Sequence, residues 1–238
     1  MLTATLQEIE PATPRSVVLR LEPHVPFAFG AGQAVLVGEH GGDARRPYSI
    51  AISPAEAARS GRIELLVGLG PDGLPGPHLP ELSPGITLDL EGPFGTFAFP
   101  EAPRERTFLF VAGGTGIAPL RAMIHQALEA QREWRLHLLY SARSADEFAF
   151  DSELRRLSKD NRVQYVKTVT REANLSWQGG RGRISRAQLE AVVEDEETLC
   201  FVCGPASLVH DVPRMLQDVG ISPERIRVEE WAVPPLTR

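Results

Sequence analysis

Residues 107–119 run Thr107-Phe-Leu-Phe-Val-Ala-Gly113-Gly-Thr-Gly-Ile-Ala-Pro119. The apolar stretch Thr107–Ala112 has the composition of a buried strand. Helical periodicity follows across Gly116–Gln131, with Leu120, Ile124, Ala127 and Leu128 on one face. Between them, glycines let the backbone turn sharply and approach a ligand closely. The helix N-terminus then offers unpaired N–H groups to phosphate. Pro119 falls in the first helical turn, where a missing N–H costs little. The segment is not the full Gly-x-Gly-x-x-Gly fingerprint, since Pro119 stands where its last small residue would be. Alone, it is as well explained by a plain strand–helix connection.

Toward the C-terminus the same alternation continues. Leu136–Tyr140 is a strand, Asp151–Ser158 a short helix and Val163–Val169 a strand. Ser185–Val193 is a helix, Leu199–Val202 a strand, and Ala206–Val219 a helix that Gly220 can end. Ile226–Val228 closes the series. Alternating β and α predicts a doubly wound parallel sheet. Toward the N-terminus the pattern differs. Short apolar runs at Arg15–Leu21, Ala34–Val37, Arg62–Val67 and Ile86–Leu90 are separated by Gly- and Pro-bearing turns, which predicts a small antiparallel β-barrel. The polar joint Glu101-Ala-Pro-Arg-Glu-Arg106 divides the chain into 1–101 and 102–238.

With 238 residues the chain can bury a sizeable core. A net charge of −6 argues against general nucleic-acid or anionic-membrane binding. The N-terminus has no basic region followed by an apolar run, and no stretch approaches the ~20 apolar residues of a membrane span, so a cytoplasmic protein is expected. The two cysteines, Cys200 and Cys203, are too few for an iron–sulfur cluster, which usually takes four thiolates. They lie on an apolar run read as a strand, where residues three apart point to opposite faces. A redox or metal pair is therefore not expected of them.

Two further fragments join the glycine turn: Arg46-Pro-Tyr-Ser-Ile-Ala-Ile52 and Cys203-Gly204-Pro205. In this order and at these separations, the three resemble the ferredoxin–NADP reductase superfamily, from about Leu2 to Trp231. The resemblance implies a flavin-binding barrel followed by a nicotinamide-nucleotide domain. It implies that Arg46 neutralises flavin phosphate, that Tyr48 packs on the isoalloxazine, and that Ser49 bonds near flavin N5. Pro47, Val67, Gly76, His78 and Leu79 complete the flavin set. Gly114, Thr115 and Gly116 would form the nucleotide turn, with Thr115 near the nicotinamide end. Cys203 and Gly204 would pack beside the nicotinamide. Glu229 would sit near the flavin edge and relay a proton, and Trp231 would cover one face of the ring. Ser49, Cys203 and Glu229 are thus the implied catalytic set, and no metal is expected.

Guanidinium groups fork onto phosphate oxygens, so the 2′-phosphate of NADP calls for arginine. Arg143, with Ser141 beside it, follows one strand; Arg171 follows the next; Arg183 lies in Gly182-Arg183-Ile184. All three resemble 2′-phosphate positions of bacterial NADP-dependent members, with Arg181 as a rival for the role of Arg183. One loop departs from the family. In Gly73-Leu-Pro-Gly76-Pro77-His78-Leu79, Gly76 stands where a Ser or Thr is usual, and Gly68 where a basic residue often is. The N–H of Gly76 can still donate; Pro77 cannot. His78 either replaces a tyrosine over the ribityl or adenine portion or is an exposed loop histidine. Gly92-Pro-Phe-Gly95 reads as a turn closing the barrel.

The function implied is hydride transfer from NADPH, rather than NADH, to bound FAD, rather than FMN. Electrons would then pass to a protein such as ferredoxin or flavodoxin, from a monomer or weak oligomer. Two alternatives stand beside it. One is a reductase that uses free flavin as substrate, which the altered 73–79 loop favours. The other is an electron-entry subunit of a multicomponent oxygenase.

Overall fold

The computed structural model describes residues 2–230. Trp231, assigned above to cover the flavin, lies outside the described residues. The chain divides into two compact units. One holds the residues up to Ala102 together with Ile117–Arg132 and Asp146–Asp151; the other holds Pro103–Gly116, Glu133–Ala145 and the residues from Ser152 onward.

The first unit is built on a six-stranded antiparallel sheet. Its strands are β1 (Leu2–Thr13), β2 (Ser16–Pro23), β3 (Ala34–Glu39), β4 (Arg46–Ser49), β5 (Ile63–Gly68) and β6 (Thr87–Phe94). Their order is β4-β3-β6-β1-β2-β5, and an antiparallel bridge between Ile50 and Leu65 joins the two ends. The N–H of Ala51 donates to the carbonyl of Glu64 at 2.8 Å in the same seam. The sheet therefore closes into a barrel, which removes exposed edges. Leu6, Leu19, Val35, Leu65, Leu79 and Leu90 are fully buried in its core. Gly92-Pro-Phe-Gly95 is corrected: Gly92 to Phe94 form the last residues of β6, with a cis Gly92–Pro93 bond, rather than a separate turn.

Two elements of this unit escape the pattern reading. One is β1, which pairs with both β2 and β6 and carries two irregularities, between Leu6 and Glu8 and between Pro11 and Thr13. The other is helix α1 (Pro54–Ser60), started by Ser53, whose Oγ accepts from the Glu56 N–H, and ended by Gly61 in the left-handed region at φ 70°. A second helix, α2 (Ile117–Glu129), also packs in this unit. The anchor is Arg121, only 6% exposed. It donates through Nη1 to the Ala51 carbonyl at 2.6 Å and to Glu64 Oε2 at 2.8 Å, with its guanidinium 4.4 Å over the Phe150 ring. Arg20 Nε holds the other Glu64 oxygen at 2.8 Å.

Asp89 forms a second charged core. Its carboxylate is 1% exposed and accepts from His40 Nδ1 at 2.8 Å, Arg45 Nη2 at 3.1 Å and the Gly41 N–H at 3.2 Å. The His40 hydrogen bond, above all, holds the carboxyl below the ordinary aspartate range, against the effect of burial. A carboxylate depressed on folding stabilises above its unfolded pKa, about 3.9, and that contribution is lost as pH falls through the folded value. Asp89→Asn should therefore cost roughly 1–3 kcal/mol near neutrality. In thermal unfolding, the gap from wild type should narrow as pH falls below about 4. A gap constant with pH would show that the charge of Asp89 is immaterial.

The second unit is a parallel sheet of β7 (Thr107–Gly113), β8 (Arg135–Ala142), β9 (Gln164–Val169), β10 (Gly180–Arg181), β11 (Leu199–Gly204) and β12 (Ile226–Glu230), ordered β10-β9-β8-β7-β11-β12. Central β7 and β11 are buried along their whole length, as a parallel sheet requires. Helices α3 (Asp151–Lys159), from Ser152 onward, α4 (Arg186–Glu190) and α5 (Ala206–Asp218) belong to this unit. The helix read over Ser185–Val193 is shorter, with Ser185 outside it as N-cap of a capping box with Gln188. Cys200 packs in the same apolar cluster as Val202 and Leu216, and Cys203 is absent from that cluster. Both cysteines are free thiols.

Candidate functional site

On the barrel, β4 carries the Arg46–Ser49 motif. It pairs antiparallel with β3, setting Tyr48 opposite Val35 and Ser49 opposite Ala34. Ser49 is buried at 5% exposure; Arg46, Pro47 and Tyr48 are half-buried. The loop that departs from the family comes to this strand. The Glu39 N–H donates to the His78 carbonyl at 2.9 Å, and the Leu79 N–H to the Gly76 carbonyl at 3.0 Å. His78 is 2% exposed, so the exposed-loop alternative is ruled out. Its Nε2 lies 2.6 Å from Tyr48 Oη, and the two rings stack with centroids 5.8 Å apart. Burial, assisted by the nearby Arg46 charge, pushes the His78 pKa down to about 4; burial raises Tyr48 to about 12. Both groups are neutral at pH 7.

The paired arginines Arg45-Arg46 do different work. Arg45 is held by Asp89. The Arg46 guanidinium has no hydrogen-bond or ion-pair partner among the described residues. It faces the loop: a Cβ built on Gly76 would stand 3.5 Å from Arg46 Nη1 and 3.6 Å from His78 Nδ1. That Nδ1 is buried and likewise has no hydrogen-bond partner among the described residues. A cation, an unsatisfied imidazole nitrogen and the space of a missing side chain meet at one point, a donor set that fits a phosphate-bearing flavin. The side chains of Val67 and Leu79, by contrast, are committed to the barrel core at 0% exposure.

On the parallel sheet, the remaining candidates line the C-terminal ends of successive strands. A 3-10 turn, Gly114–Gly116, follows β7. Its glycines have separate reasons. A Cβ on Gly116 would lie 2.3 Å from the Cys203 carbonyl oxygen, and one on Gly113 would lie 2.7 Å from Pro205 Cδ. These two are demanded by packing on β11 and on the start of α5. Gly114, at φ 55°, has nothing within 4 Å of a Cβ and opens outward beside exposed Thr115. The Gly114 carbonyl accepts from Tyr140 Oη at 2.9 Å, so a fully buried tyrosine pins the turn. Sequence reasoning missed this residue; a large hydroxyl-bearing ring on an otherwise apolar strand was the available signal.

Parallel pairing sets Cys203 opposite Glu229, with Cys203 Sγ 3.8 Å from Glu229 Oε2. Cys203 is fully buried and Glu229 half-buried. On the other side of β7, Ser141 pairs with Gly113. Beyond Ser141, the Arg171 N–H donates to the Arg143 carbonyl at 2.7 Å, which places these exposed arginines side by side. Neither guanidinium has an ion-pair partner among the described residues. Arg183 does not join them through a bond; its Nη1 lies 3.8 Å from Asp211 Oδ2. Arg181 is occupied, donating to the carbonyls of Glu172 and Asn174 at 2.9 and 2.6 Å. From β9 to β12, the row spans roughly 20 Å at the usual strand spacing. Such strand ends are where doubly wound sheets bind nucleotides.

Residues 6–99 match the oxidoreductase FAD-binding domain model and residues 110–214 the oxidoreductase NAD-binding domain model. The chain is 32% identical over 243 aligned positions to ferredoxin–NADP reductase B of Sorangium cellulosum (strain So ce56), covering 96% of each. The chain belongs to the ferredoxin–NADP reductase family. It is an oxidoreductase with FAD-binding and pyridine-nucleotide-binding domains. This reductase is also 31% identical to oxidoreductase NAD-binding domain-containing protein 1 of Danio rerio, over 90% of the chain and 85% of that protein. The cytochrome P450 reductase GcoB of Amycolatopsis superposes with a TM-score of 0.85 at 26% identity, covering 96% of this chain and 69% of that one. A ferredoxin NADP+ reductase from Neisseria gonorrhoeae, with bound FAD and NADP, shares the fold at a TM-score of 0.79 and 23% identity, over 96% and 97% of the two chains. Among the described residues, no helix is long and apolar enough to cross a membrane, and no cluster of His, Cys, Asp and Glu could hold a metal ion.

Proposed function

We propose that this reductase takes hydride from NADPH onto bound FAD and hands electrons to a protein acceptor such as a ferredoxin or flavodoxin. Residues 1–101 would form the flavin-binding part and 102–238 the nucleotide-binding part. The carrying observation is the pairing of an unmatched Arg46 with a buried, unsatisfied His78 nitrogen at the space left by Gly76. FAD, when bound, supplies a two-electron acceptor that can release electrons singly. Arg46 would hold its phosphate, Tyr48 its ring, and Ser49 a polar atom at the ring edge. Gly114–Gly116 and Gly204 would receive the nucleotide backbone, and Thr115 and Cys203 would flank the nicotinamide. Glu229, beside the Cys203 thiol, would hold or move a proton.

NADPH is favoured over NADH by the Arg143–Arg171 pair, whose guanidinium donors have no ion-paired carboxylate among the described residues; Ser141 stands beside them. The acceptor class rests on kinship with a ferredoxin–NADP reductase and on likeness to a reductase of a P450 system. That likeness also supports the second reading, an electron-entry component of an oxygenase. The cytoplasm, where thiols stay reduced, fits the two free cysteines.

The visible spectrum of the purified protein tests the reading. A yellow protein with flavin absorption, bleached by NADPH under anaerobic conditions, is expected. Colourless protein that turns over added flavin would instead identify a flavin-as-substrate reductase. Bleaching at equal rates by NADH would remove the argument from Arg143 and Arg171.

A further inference from the structure

We propose that His78 donates a hydrogen bond from Nδ1 to a flavin phosphate, taking the place of the absent hydroxyl at Gly76, and that Tyr48 sets this up by fixing the imidazole tautomer. The inference rests on the flavin reading above and assigns part of the anion grip to the Tyr48–His78 pair.

Geometry supplies the tautomer. Tyr48 Oη and His78 Nε2 are 2.6 Å apart. N–H···O bonds centre near 2.9–3.0 Å and hydroxyl donors make shorter ones, so the phenol is the donor. With Nε2 accepting, the proton of a neutral imidazole must sit on Nδ1. The ring is neutral at pH 7, because burial opposes its protonation. A donor N–H is therefore left inside a residue only 2% exposed, with no partner among the described residues. A buried donor without an acceptor costs about 1–3 kcal/mol.

The acceptor it awaits is anionic. The same position that is 3.6 Å from Nδ1 is 3.5 Å from Arg46 Nη1. A serine there would fill that space with its own Cβ. Glycine puts no side-chain atom between the two donors. Gly76 sits at φ 120°, where side chains are strained, so the loop conformation itself selects glycine. Donors from Arg46 and His78 replace the arginine-and-hydroxyl pair with an arginine-and-imidazole pair. Both the monoester of FMN and the diphosphate of FAD carry the oxygens needed; riboflavin carries none.

Binding of FAD, FMN and riboflavin to the apoprotein, followed by quenching of flavin fluorescence, tests the assignment without turnover. His78→Ala should weaken FAD and FMN about tenfold, the worth of one charge-assisted hydrogen bond, and leave riboflavin unchanged. His78→Asn, whose amide nitrogen can stand where Nδ1 does, should recover most of the FAD affinity. His78→Gln, which extends its amide toward the Nε2 position, should not. Should His78→Ala unfold the barrel, the Asn and Gln variants still separate the outcomes. Equal loss for all three flavins would mean that His78 only supports the Tyr48 ring and would overturn the proposal. So would unchanged FAD affinity in all variants, or nitrogen NMR shifts placing the proton on Nε2. Wild-type protein that binds no flavin would sink the flavin reading itself, a result distinct from any of these.

Discussion

The double variant Arg143→Ala/Arg171→Ala is expected to raise the KM for NADPH about 100-fold while leaving kcat, and the KM for NADH, within about twofold. Each guanidinium contributes a charge-assisted hydrogen bond worth about 1.5–3 kcal/mol. Losing both near the lower limit removes about 3 kcal/mol, or two decades of affinity. The 2′-phosphate takes no part in the chemistry, so the loss is one of uniform binding and falls on KM alone. The arginines are suited to this because their backbones are joined by a 2.7 Å hydrogen bond, while their side chains carry no ion pair among the described residues. Each single variant should give about one decade. Steady-state rates with both nucleotides measure this directly. A matching loss with NADH would show that the pair serves the sheet edge rather than the 2′-phosphate.

The second large effect is expected at Gly116. Gly116→Ala should slow anaerobic flavin reduction by NADPH about 100-fold or more, with the flavin spectrum retained. The added Cβ would stand 2.3 Å from the Cys203 carbonyl oxygen, 2.6 Å from its carbon and 2.7 Å from the Gly204 nitrogen. All three are backbone atoms of β11, which is paired on both sides, by β7 and β12. The strand cannot retreat, so the turn must, at a cost of about 1–3 kcal/mol for the overpacking. A displacement of ~1 Å at a positioning element can cost two decades in rate. Gly114→Ala is the control. It has open space around it but a left-handed φ of 55°, so about 1–2 kcal/mol of strain and a smaller kinetic loss are expected. Stopped-flow traces of the two variants decide the matter. A near-normal Gly116→Ala would show that the turn has slack which the close contacts deny.

What was legible in the sequence follows from what leaves a local mark. Phe108–Ala112 and Leu199–Val202 are fully apolar because both faces are buried, and β7 and β11 are central strands. The glycine turn was legible as a turn. That Gly113 and Gly116 answer to Pro205 and Cys203 was not, since those contacts join segments about ninety residues apart. Strand β1 was missed because Pro11 and two register shifts break its alternation. Helix α1 is too short for periodicity, though Ser53-Pro54 before it and Gly61 after it are its start and stop signals. The packing of α2 in the barrel unit depends on Arg121 reaching Glu64 and Ala51, which no spacing along the chain encodes. His78 was ambiguous because burial depends on the path of its loop, and its 2% exposure and hydrogen bond to Tyr48 are contacts that no spacing along the chain encodes.

The division between Arg45 and Arg46 has a thermodynamic consequence. Asp89 already pairs with Arg45 Nη2, His40 and the Gly41 amide, so its carboxylate is neutralised in the folded barrel without Arg46. The half-buried Arg46 then carries a partial desolvation penalty that nothing in the described chain relieves. The same holds for the enclosed His78 nitrogen. An anion bound there would stabilise the native state by mass action, since it would have nothing equivalent to bind in the unfolded chain. If flavin phosphate is what Arg46 holds, as proposed, folding and cofactor loading are coupled there, and the apoprotein is expected to be the less stable form of the same fold.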